Sequence, residues 1–324
     1  MSETSRRTVL TAAAVVAACP FAPAHAAAPP VHRQAPGFYR VRIGDHEVTA
    51  VHDGVWLRPI GADFVRNADY RDVQQALTAA FQPPDRLPVP FTPLAVNTGR
   101  RLVLIDTGTG GQFASFAPQS GTWAENLAAS GMDPADIDAI LISHCHPDHI
   151  NGLKTKDNAL TFPNAEIFVA APEWDYWMDD ANLSGASDTA RPQFLNARRI
   201  FRDLADRVTR FSPGRELVPG ITSIAAHGHT PGHTVFAVTS GNQSLLVLGD
   251  TSNNPYLFVR NPQWQAIIDI DGPLAAATRM ALLDRAAADR MLVHGYHFPF
   301  PALGTIVRTA NGYDLAPAMW RPQP

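Results

Sequence analysis

Cysteine is almost absent from this chain, which has only Cys19 and Cys145 among its 324 residues. A disulfide framework therefore cannot hold the fold together, even in an oxidising compartment. Lysine and arginine number 26 against 30 acidic residues and form no long basic run. This charge pattern does not indicate a basic surface that would bind nucleic acid or an anionic membrane. It favours a small-molecule ligand.

The apolar stretch near the N-terminus is shorter than the roughly 20 residues that a membrane-spanning helix needs. Arg6 and Arg7 precede this stretch, which runs from Val9 to Ala18, and Ala24-His25-Ala26 supplies an A-x-A cleavage pattern. The sequence predicts a signal peptide over residues 1–26 that resembles the twin-arginine type. We therefore expect a periplasmic mature protein without stable membrane insertion.

The region C-terminal to this signal is predicted to be a short linker followed by one domain. Three prolines stand among small residues between positions 27 and 37, so this segment is predicted to lie outside the fold. Residues 38–324 are predicted to form a single domain, because no repeat or low-complexity tract divides them. Cleavage before Cys19, which would leave a lipid-anchored protein, is the alternative to release at the A-x-A pattern.

Apolar runs predict strands at both ends of the chain, with helices between them. Tyr39–Ile43 and Glu47–Val51 flank a Gly44-Asp45 turn, while Arg191–Asp206 and Pro273–Arg290 are predicted helices. Such elements bury their apolar faces when two sheets pack face to face under outer helices. The expected fold class is α/β, as an αββα sandwich of two facing mixed sheets with helices outside.

A dense group of potential metal ligands follows an apolar strand predicted over residues 137–142. In His144-Cys145-His146-Pro147-Asp148-His149, four such side chains fall within six positions. Residues two apart on an extended segment point to the same side, so the first two histidines can hold one ion while the cysteine points away. The proline stops the strand, and the turn can aim the last two residues toward a second ion. Imidazoles with carboxylates suit zinc and other borderline divalent metals.

Further histidine and aspartate motifs follow in order, each beside a strand-like segment. They are Gly228-His229-Thr230-Pro231-Gly232-His233, Leu248-Gly249-Asp250 and two late histidines, His294 and His297. The order H-x-H-x-D-H, G-H-T-P-G-H, Asp and late His resembles the metallo-β-lactamase superfamily, and the likeness covers nearly the whole mature chain. It implies the same sandwich fold and a site for two metal ions.

The resemblance also implies how the ligands divide between two divalent ions, for which zinc is the expected identity. One ion takes His144, His146 and His233, the other takes Asp148, His149 and His297, and Asp250 bridges both. By the same resemblance, Asp250 positions a metal-bridging hydroxide that attacks the substrate.

Three further residues near these motifs need an interpretation. His294 competes with His297 for the last ligand position, but the segment from His297 to Pro301 resembles the family's terminal ligand segment. His229 is not a ligand in this interpretation of the pattern, and we expect it to support a ligand or fix a loop by hydrogen bonding. Asp106 resembles the family's buried carboxylate that orients ligands from behind.

Within the superfamily, several stretches resemble methyl parathion hydrolase-like enzymes. They are Ala35–Arg40, Leu94–Gly99, Phe162–Ala165, the surroundings of Trp177 and the tail from His297 to Tyr313. By this resemblance, Phe113, Trp177 and Phe194 are expected to line an aromatic substrate pocket. Ordinary core packing is the alternative for each of these aromatic side chains.

The segment Thr251–Tyr256 departs from those enzymes, because it is polar where they are apolar. Asn253 in this segment stands where acyl-homoserine lactonases of the superfamily carry a tyrosine, which weakens a lactonase interpretation without excluding it. The loops at residues 59–69 and 184–194 are expected to form the rim of the pocket.

These features predict a dinuclear hydrolase for a small molecule. Two divalent ions that share a water lower its pKa toward neutrality, so that no serine or cysteine nucleophile is needed. The sequence has no G-x-S-x-G elbow, which disfavours covalent catalysis. The expected substrate is an ester, a lactone or a phosphotriester.

Three alternatives stay open at this stage. Thioester or β-lactam hydrolysis and iron-dependent oxidation of a sulfur compound occur on the same fold, and metal binding without catalysis is the third class. The complete ligand set argues against the third class. The resemblance to the superfamily favours a homodimer.

Overall fold

Two mixed sheets of seven strands each face one another in the computed structural model, which describes residues 30–324. The predicted signal peptide and the alternative cleavage at Cys19 lie outside the described residues and stay predictions. Within the described range, no helix is both long and apolar enough to cross a membrane. Residues 36–324 make up one compact unit.

The first sheet contains the first cluster of predicted ligands at the end of a central strand. Its strands, in spatial order, are β1 (Phe38–Ile43), β2 (His46–Val51), β5 (Leu94–Asn97), β6 (Leu102–Ile105), β8 (Ala139–Ile142), β9 (Glu166–Ala170) and β10 (Val208–Phe211). The pairs β1–β2, β2–β5 and β5–β6 are antiparallel, whereas β6–β8, β8–β9 and β9–β10 are parallel.

The second sheet carries the remaining predicted ligands. Its strands, in spatial order, are β11 (Glu216–Val218), β12 (Ile221–Ala225), β13 (Thr234–Ser240), β14 (Gln243–Val247), β15 (Leu292–His294), β16 (Leu303–Arg308) and β17 (Tyr313–Pro317). Only β14 and β15 run parallel to each other in this sheet.

A small third sheet lies apart from the sandwich and has the order β4 (Arg86–Pro90), β3 (Gly54–Pro59) and β7 (Gln119–Ser120). The sequence did not predict β4, because it contains two prolines. Proline cannot donate a backbone hydrogen bond, but an edge strand such as β4 needs such donors on one side only.

Seven helices in the described chain cover the sheets and connect their strands. They are α1 (Tyr70–Ala79), α2 (Trp123–Ala129), α3 (Pro147–Ile150), α4 (Ala171–Met178), α5 (Asp180–Gly185), α6 (Arg191–Phe201) and α7 (Gly272–Ala288). Short 3-10 turns cover Pro134–Asp136, Asn151–Leu153, Ala205–Arg207 and Gly249–Thr251, and a π-helical turn covers Pro255–Val259.

Apolar side chains fill the space between the two large sheets. Val96 and Leu141 from the first sheet belong to the same buried cluster as Phe236 and Leu245 from the second. Helices α2, α4 and α6 cover the outer face of the first sheet, and α7 covers that of the second. The predicted α/β sandwich with outer helices is therefore confirmed.

The predicted helix over residues 191–206 is too long, because α6 ends at Phe201. The chain then turns so that Leu204 joins the same apolar cluster as Phe201. Leu204 is 2% exposed there, so the turn buries an apolar side chain.

Replacing Phe236 tests the packing between the sheets, because this side chain is fully buried there. We expect Phe236→Ala to lower the free energy of unfolding by about 3–5 kcal/mol through the cavity that it leaves. Urea unfolding followed by circular dichroism measures this loss. Leu195→Ala, at a position on α6 that is 52% exposed, is the control and is expected to stay within about 0.5 kcal/mol of the parent. Equal losses in the two variants would contradict the assigned core.

Candidate metal centre

Loops at neighbouring strand ends bring the predicted ligands together at one end of the sandwich. The first cluster follows β8, and Asp250 and His297 follow β14 and β15. Because these last two strands are parallel neighbours, their carboxyl ends lie at the same edge. β13 runs antiparallel to β14, so the G-H-T-P-G-H segment before β13 also reaches this edge.

Pro147 divides the first cluster into two pairs of side chains. Helix α3 begins at this proline, and His146 with extended backbone is its N-cap residue. The change from strand to helix turns Asp148 and His149 away from the direction of the preceding histidines, as the sequence predicted.

The first donor group consists of His144, His146, His229 and Asp250, whose ligand atoms lie within 4.8 Å of one another. His146 Nδ1 is 2.9 Å from His144 Nε2 and 3.0 Å from His229 Nε2. Asp250 Oδ2 is 3.3 Å from His229 Nε2. Three imidazoles and one carboxylate oxygen can therefore surround one cation.

The second donor group consists of Asp148, His149 and His297. Asp148 Oδ2 is 3.5 Å from His149 Nε2 and 3.4 Å from His297 Nε2. Asp250 also reaches this group, because its Oδ1 is 3.2 Å from the Nε2 atoms of both histidines. Asp250 Oδ2 is also 3.2 Å from His297 Nε2, so the carboxylate lies between the two donor groups, which is the position of a bridging ligand.

The donor atoms of this centre fit a pair of cations. His149 Nε2 and Asp250 Oδ1 are buried and have no hydrogen-bond partner among the described residues. His149 Nδ1 lies 2.8 Å from Asp106 Oδ2 and donates to it, which directs Nε2 toward the other donor atoms. Burial alone would lower the pKa of His149, but the charges of Asp250, Asp148 and Asp106 raise it well above the usual value, so the site favours positive charge. An imidazole–carboxylate set of this kind suits zinc.

Outer hydrogen bonds orient three of the histidine rings. Besides the Asp106 contact of His149, the ring of His229 donates from Nδ1 to Asp269 Oδ1 at 2.9 Å, and His297 Nδ1 donates to the carbonyl of Pro90 at 2.7 Å. Such partners fix the tautomer that leaves Nε2 free for a metal. The orienting position predicted for Asp106 agrees with this geometry, whereas the sequence did not point to Asp269.

The structure does not bring His233 into either donor group. Its Nε2 accepts a hydrogen bond from the backbone N–H of Asp250 at 3.0 Å, and its Nδ1 donates to the carbonyl of Ala226 at 3.1 Å. Both ring nitrogens are therefore used, and no lone pair is left for a metal. The roles predicted for His229 and His233 are exchanged in the geometry.

Gly249 makes room for this use of His233. Its backbone has φ of +50°, and a Cβ atom there would lie 2.8 Å from His233 Nε2. The ring can therefore reach the backbone of Asp250 only because residue 249 is glycine.

Burial and neighbouring charges set the pKa values of the histidines. Burial lowers the pKa of His144 and His146 well below the usual value, and nearby histidines add to this effect. Burial also lowers the pKa of His233, to about 3. For His229, burial alone would lower the pKa, but hydrogen bonds and charges from Asp250 and Asp269 raise it to about 9. The proton that His229 would hold there occupies the position that a cation would take.

His294, the competitor of His297, lies in β15 and joins neither donor group. Burial lowers the pKa of His294 to about 3, so the ring is neutral. The choice of His297 as the candidate ligand agrees with the geometry.

Glu173 is a buried carboxylate that the sequence interpretation missed. Its Oε1 accepts from Cys145 N at 2.8 Å and from Trp177 Nε1 at 2.6 Å. Its Oε2 accepts from Thr230 Oγ1 at 2.6 Å and from Gly232 N at 3.0 Å. Glu173 thus joins the loop of the first cluster to the G-H-T-P-G-H loop. An acidic residue in the first turn of a predicted helix gave no sign of this position, because such residues are common there.

A cavity of about 310 Å³ opens onto both donor groups, since Asp148, His146, Asp250 and His297 are among its walls. Its other walls are Trp56, Arg58, Phe64, Leu87, Val89, Phe91, Phe113, Phe116, Pro147, Gln193, Asn253 and Ile268. Apolar and aromatic side chains dominate, as in sites that bind small organic molecules.

Only one of the three predicted pocket aromatics, Phe113, lines this cavity. Trp177 and Phe194 are at most 2% exposed and pack against each other in the outer core of the first sheet, with ring centroids 4.7 Å apart. For these two residues, the core-packing alternative fits the structure. Both predicted rim loops contribute to the walls, through Phe64 and Gln193.

Substitution of His229 and His233 separates their roles. We expect His229→Ala to reduce binding at the first donor group, because it removes a donor atom. His233→Gln is expected to retain both ions, since its amide oxygen can still accept from the Asp250 backbone. Mass-spectrometric metal analysis after dialysis against a competing chelator measures both. Loss of metal in His233→Gln with full retention in His229→Ala would contradict the assignment.

Substitution of Glu173 tests the link between the two loops. Glu173→Gln places an amide group among four donors, so at least one buried donor loses its acceptor, which costs about 1–3 kcal/mol. We expect a lower unfolding midpoint and weaker metal binding, measured by denaturation and chelator competition. Asp175→Asn, an exposed substitution on the same helix, is the control. Unchanged metal affinity in Glu173→Gln would show that this carboxylate does not hold the ligand loops.

Known proteins share this architecture. The alignment with the N-acyl homoserine lactonase AttM of Azorhizobium caulinodans is 31% identical over 130 residues, which are 38% of this chain and 43% of that protein. The solved structure of "hydrolase AbOPH in beta lactamase superfamily" gives a TM-score of 0.81 at 26% identity, covering 89% of this chain and all of that one. The dizinc quorum-quenching lactonase AidC, solved with a product, gives 0.81 at 27% identity and covers 88% and 98% of the two chains.

The sequence itself matches a family model. The model described as the metallo-beta-lactamase superfamily matches residues 94–297, a range that includes every residue of both donor groups. The family predicted from the motifs is thereby confirmed, while the finer likeness to methyl parathion hydrolase-like enzymes stays a prediction. The chain belongs to the metallo-beta-lactamase superfamily.

Proposed function

We propose that this protein is a dinuclear zinc hydrolase that cleaves an ester or lactone bond of a small, largely apolar molecule. One observation carries the proposal: the Asp250 carboxylate lies between two donor groups at the wall of an apolar cavity. The placement puts a cationic centre next to a space that suits organic substrates.

The donor set favours zinc, and the relative AidC is described as a dizinc lactonase. When bound, the two ions would supply Lewis acidity, both to activate water and to polarise the bond that is cleaved. His144, His146 and His229 with Asp250 would hold one ion. Asp148, His149 and His297 with the other oxygen of Asp250 would hold the second.

Asp250 would lie between the two ions, and Asn253 would keep its carboxylate oriented. The Asn253 amide donates to Asp250 Oδ2 at 2.7 Å. The carboxylate must be ionised to hold a cation at each oxygen. Burial favours the neutral acid, but the charges of His297 and His149 outweigh it and hold the pKa of Asp250 well below its usual range.

The cavity walls support a carbonyl ester or lactone as the substrate. Phe91, Phe113 and Phe116 form a chain of aromatic contacts, with centroid separations of 5.9 and 4.7 Å, that gives the cavity an apolar wall. The relatives AttM and AidC are named lactonases, which favours carbonyl chemistry. The sequence also favoured a phosphotriester, by resemblance to methyl parathion hydrolase-like enzymes. Two of the three aromatic side chains expected from that resemblance do not line the cavity, so the phosphotriester becomes a comparison substrate.

Covalent catalysis by cysteine does not fit this site. Cys145 is fully buried, and burial raises the pKa of its thiol well above the usual value, with Glu173 and Asp106 adding to the effect. Only the thiolate is an effective nucleophile, so this residue is inert. Activated water is therefore the proposed attacker.

A substrate panel with an Asp250 variant tests the proposal. The zinc-loaded protein is assayed on an aryl ester, a lactone, a phosphotriester, a thioester and a β-lactam. We expect the highest kcat/KM on the ester or lactone and a loss of at least about a hundredfold in Asp250→Ala. Asp157→Ala, an exposed loop substitution, is the control.

Each other result has a clear meaning. A preference for the thioester, the β-lactam or the phosphotriester would assign a different substrate class but would leave the metal mechanism unchanged. Turnover that survives intact in Asp250→Ala would refute the dinuclear mechanism. Silence across the panel, with iron bound in place of zinc, would favour the oxidation of a sulfur compound.

A further inference from the structure

Arg58 is a charged side chain on the cavity wall that the proposed chemistry does not use. Alternation along β3 places Trp56 and Arg58 on the side that faces the cavity, while Leu57 between them is exposed. Arg58 pairs with Leu87 on β4, so the small sheet holds the backbone at this position. Its side chain is part of the cavity wall.

Aromatic faces, not acceptors, surround this guanidinium. Its carbon lies 5.2 Å from the Trp56 ring centre and 5.4 Å from that of Phe64. No oxygen among residues 30–324 accepts a hydrogen bond from it, and Asp148 and Asp63 act on it only through their charges. Burial lowers its pKa, yet an arginine stays protonated in proteins. Water in the cavity is what remains to solvate its N–H groups.

A ligand that fills the cavity displaces this water. A purely apolar ligand would leave the N–H groups of Arg58 without acceptors, and loss of solvation around a charge is costly. A ligand with an anionic oxygen at this place would instead pair with the charge. The planar fork of arginine matches a carboxylate with two parallel hydrogen bonds.

The remaining walls make Arg58 the natural partner for such a group. The other polar side chains outside the donor groups, Gln193 and Asn253, are uncharged, and in the described lining Arg58 is the one lysine or arginine. A carboxylate at the far end of a substrate can therefore reach a positive partner on the wall that Arg58 shares with Asp148.

We infer that Arg58 determines specificity, by selecting esters or lactones that carry a free carboxylate remote from the bond that is cleaved. Half-esters of aliphatic dicarboxylic acids have this chemistry. The inference rests on the proposed function and names its substrate class.

Matched substrate pairs test the inference. Each pair contains the para-nitrophenyl ester of a straight-chain monocarboxylic acid and the para-nitrophenyl half-ester of the dicarboxylic acid of equal length, in a homologous series. We expect the zinc-loaded parent to prefer the half-ester of one chain length. Arg58→Met should lower kcat/KM for that half-ester by about tenfold to a hundredfold, mainly through KM, because the lost bond is remote from the reaction.

Two further variants make the result specific. Arg58→Lys keeps the charge but loses the planar fork, so we expect an intermediate effect. Arg86→Met removes an exposed arginine from the neighbouring strand β4 and should change neither ester. The neutral ester should keep or improve its rate in Arg58→Met. Equal changes for both esters in that variant, or a parent that prefers the neutral ester at every length, would overturn the inference.

A binding measurement keeps the inference separate from the proposed function. If the parent hydrolyses neither ester, the proposed function fails, and the dicarboxylates and monocarboxylates themselves become ligands for calorimetry on the zinc-loaded protein. Both can place one carboxylate at the metal centre, so only the second carboxylate reports on Arg58. Tighter binding of the dicarboxylate that disappears in Arg58→Met supports the inference. Equal affinities in the parent refute it.

Discussion

The Asp250 carboxylate is shared between two groups of imidazoles, and the rest of the centre is arranged around this sharing. Its backbone N–H is held by His233, and one of its oxygens is held by the Asn253 amide. The carboxylate is only 3% exposed, so it cannot turn toward solvent to relieve the crowding of acceptors. Loops from both large sheets must therefore end within a few ångströms of one side chain.

This crowding explains why so many charged groups are buried behind the histidines. Asp269, which orients His229, is paired at 3.2 Å with Arg279, and both are buried. Arg279 in turn donates to the carbonyls of Thr251, Pro262 and Trp264. A buried charge is tolerated when its partners satisfy it, so the salt bridge and these carbonyls let a carboxylate sit behind a metal ligand. Thr251, Pro262 and Trp264 all follow Asp250 in the chain. The residues that satisfy Arg279 are therefore connected through the backbone to the bridging residue.

The sequence alone was sufficient for the ligands that sit close to one another in the chain. The H-x-H-x-D-H cluster and the turn at Pro147 follow from strand alternation and the restrictions of proline, and both agree with the structure. The choice between His229 and His233 could not be made in this way. Both histidines lie in one loop, and only three-dimensional contacts show that backbone groups occupy both nitrogens of His233.

The pocket was predicted less well for a related physical reason. Aromatic side chains are equally common in pocket walls and in protein cores. Trp177 is directed into the core by its hydrogen bond to Glu173, a residue that no motif marks. Arg58 was not predicted as a functional residue, because a single arginine in an alternating strand usually faces solvent. Its surroundings come from β4 and from Phe64, segments that sequence periodicity places poorly.

One apolar cluster nevertheless connects the cavity wall around Arg58 with the segment that follows Asp250 in the metal centre. Leu87, which pairs with Arg58 between β4 and β3, is buried in the same cluster as Leu257 and Phe258, and these two follow Asp250 in the chain. This cluster is separate from the apolar layer between the two large sheets. Its packing therefore links the strand pair that carries Arg58 to the segment that follows Asp250. A change in the wall can alter which substrates fit, while the ligand loops keep their positions on the sandwich.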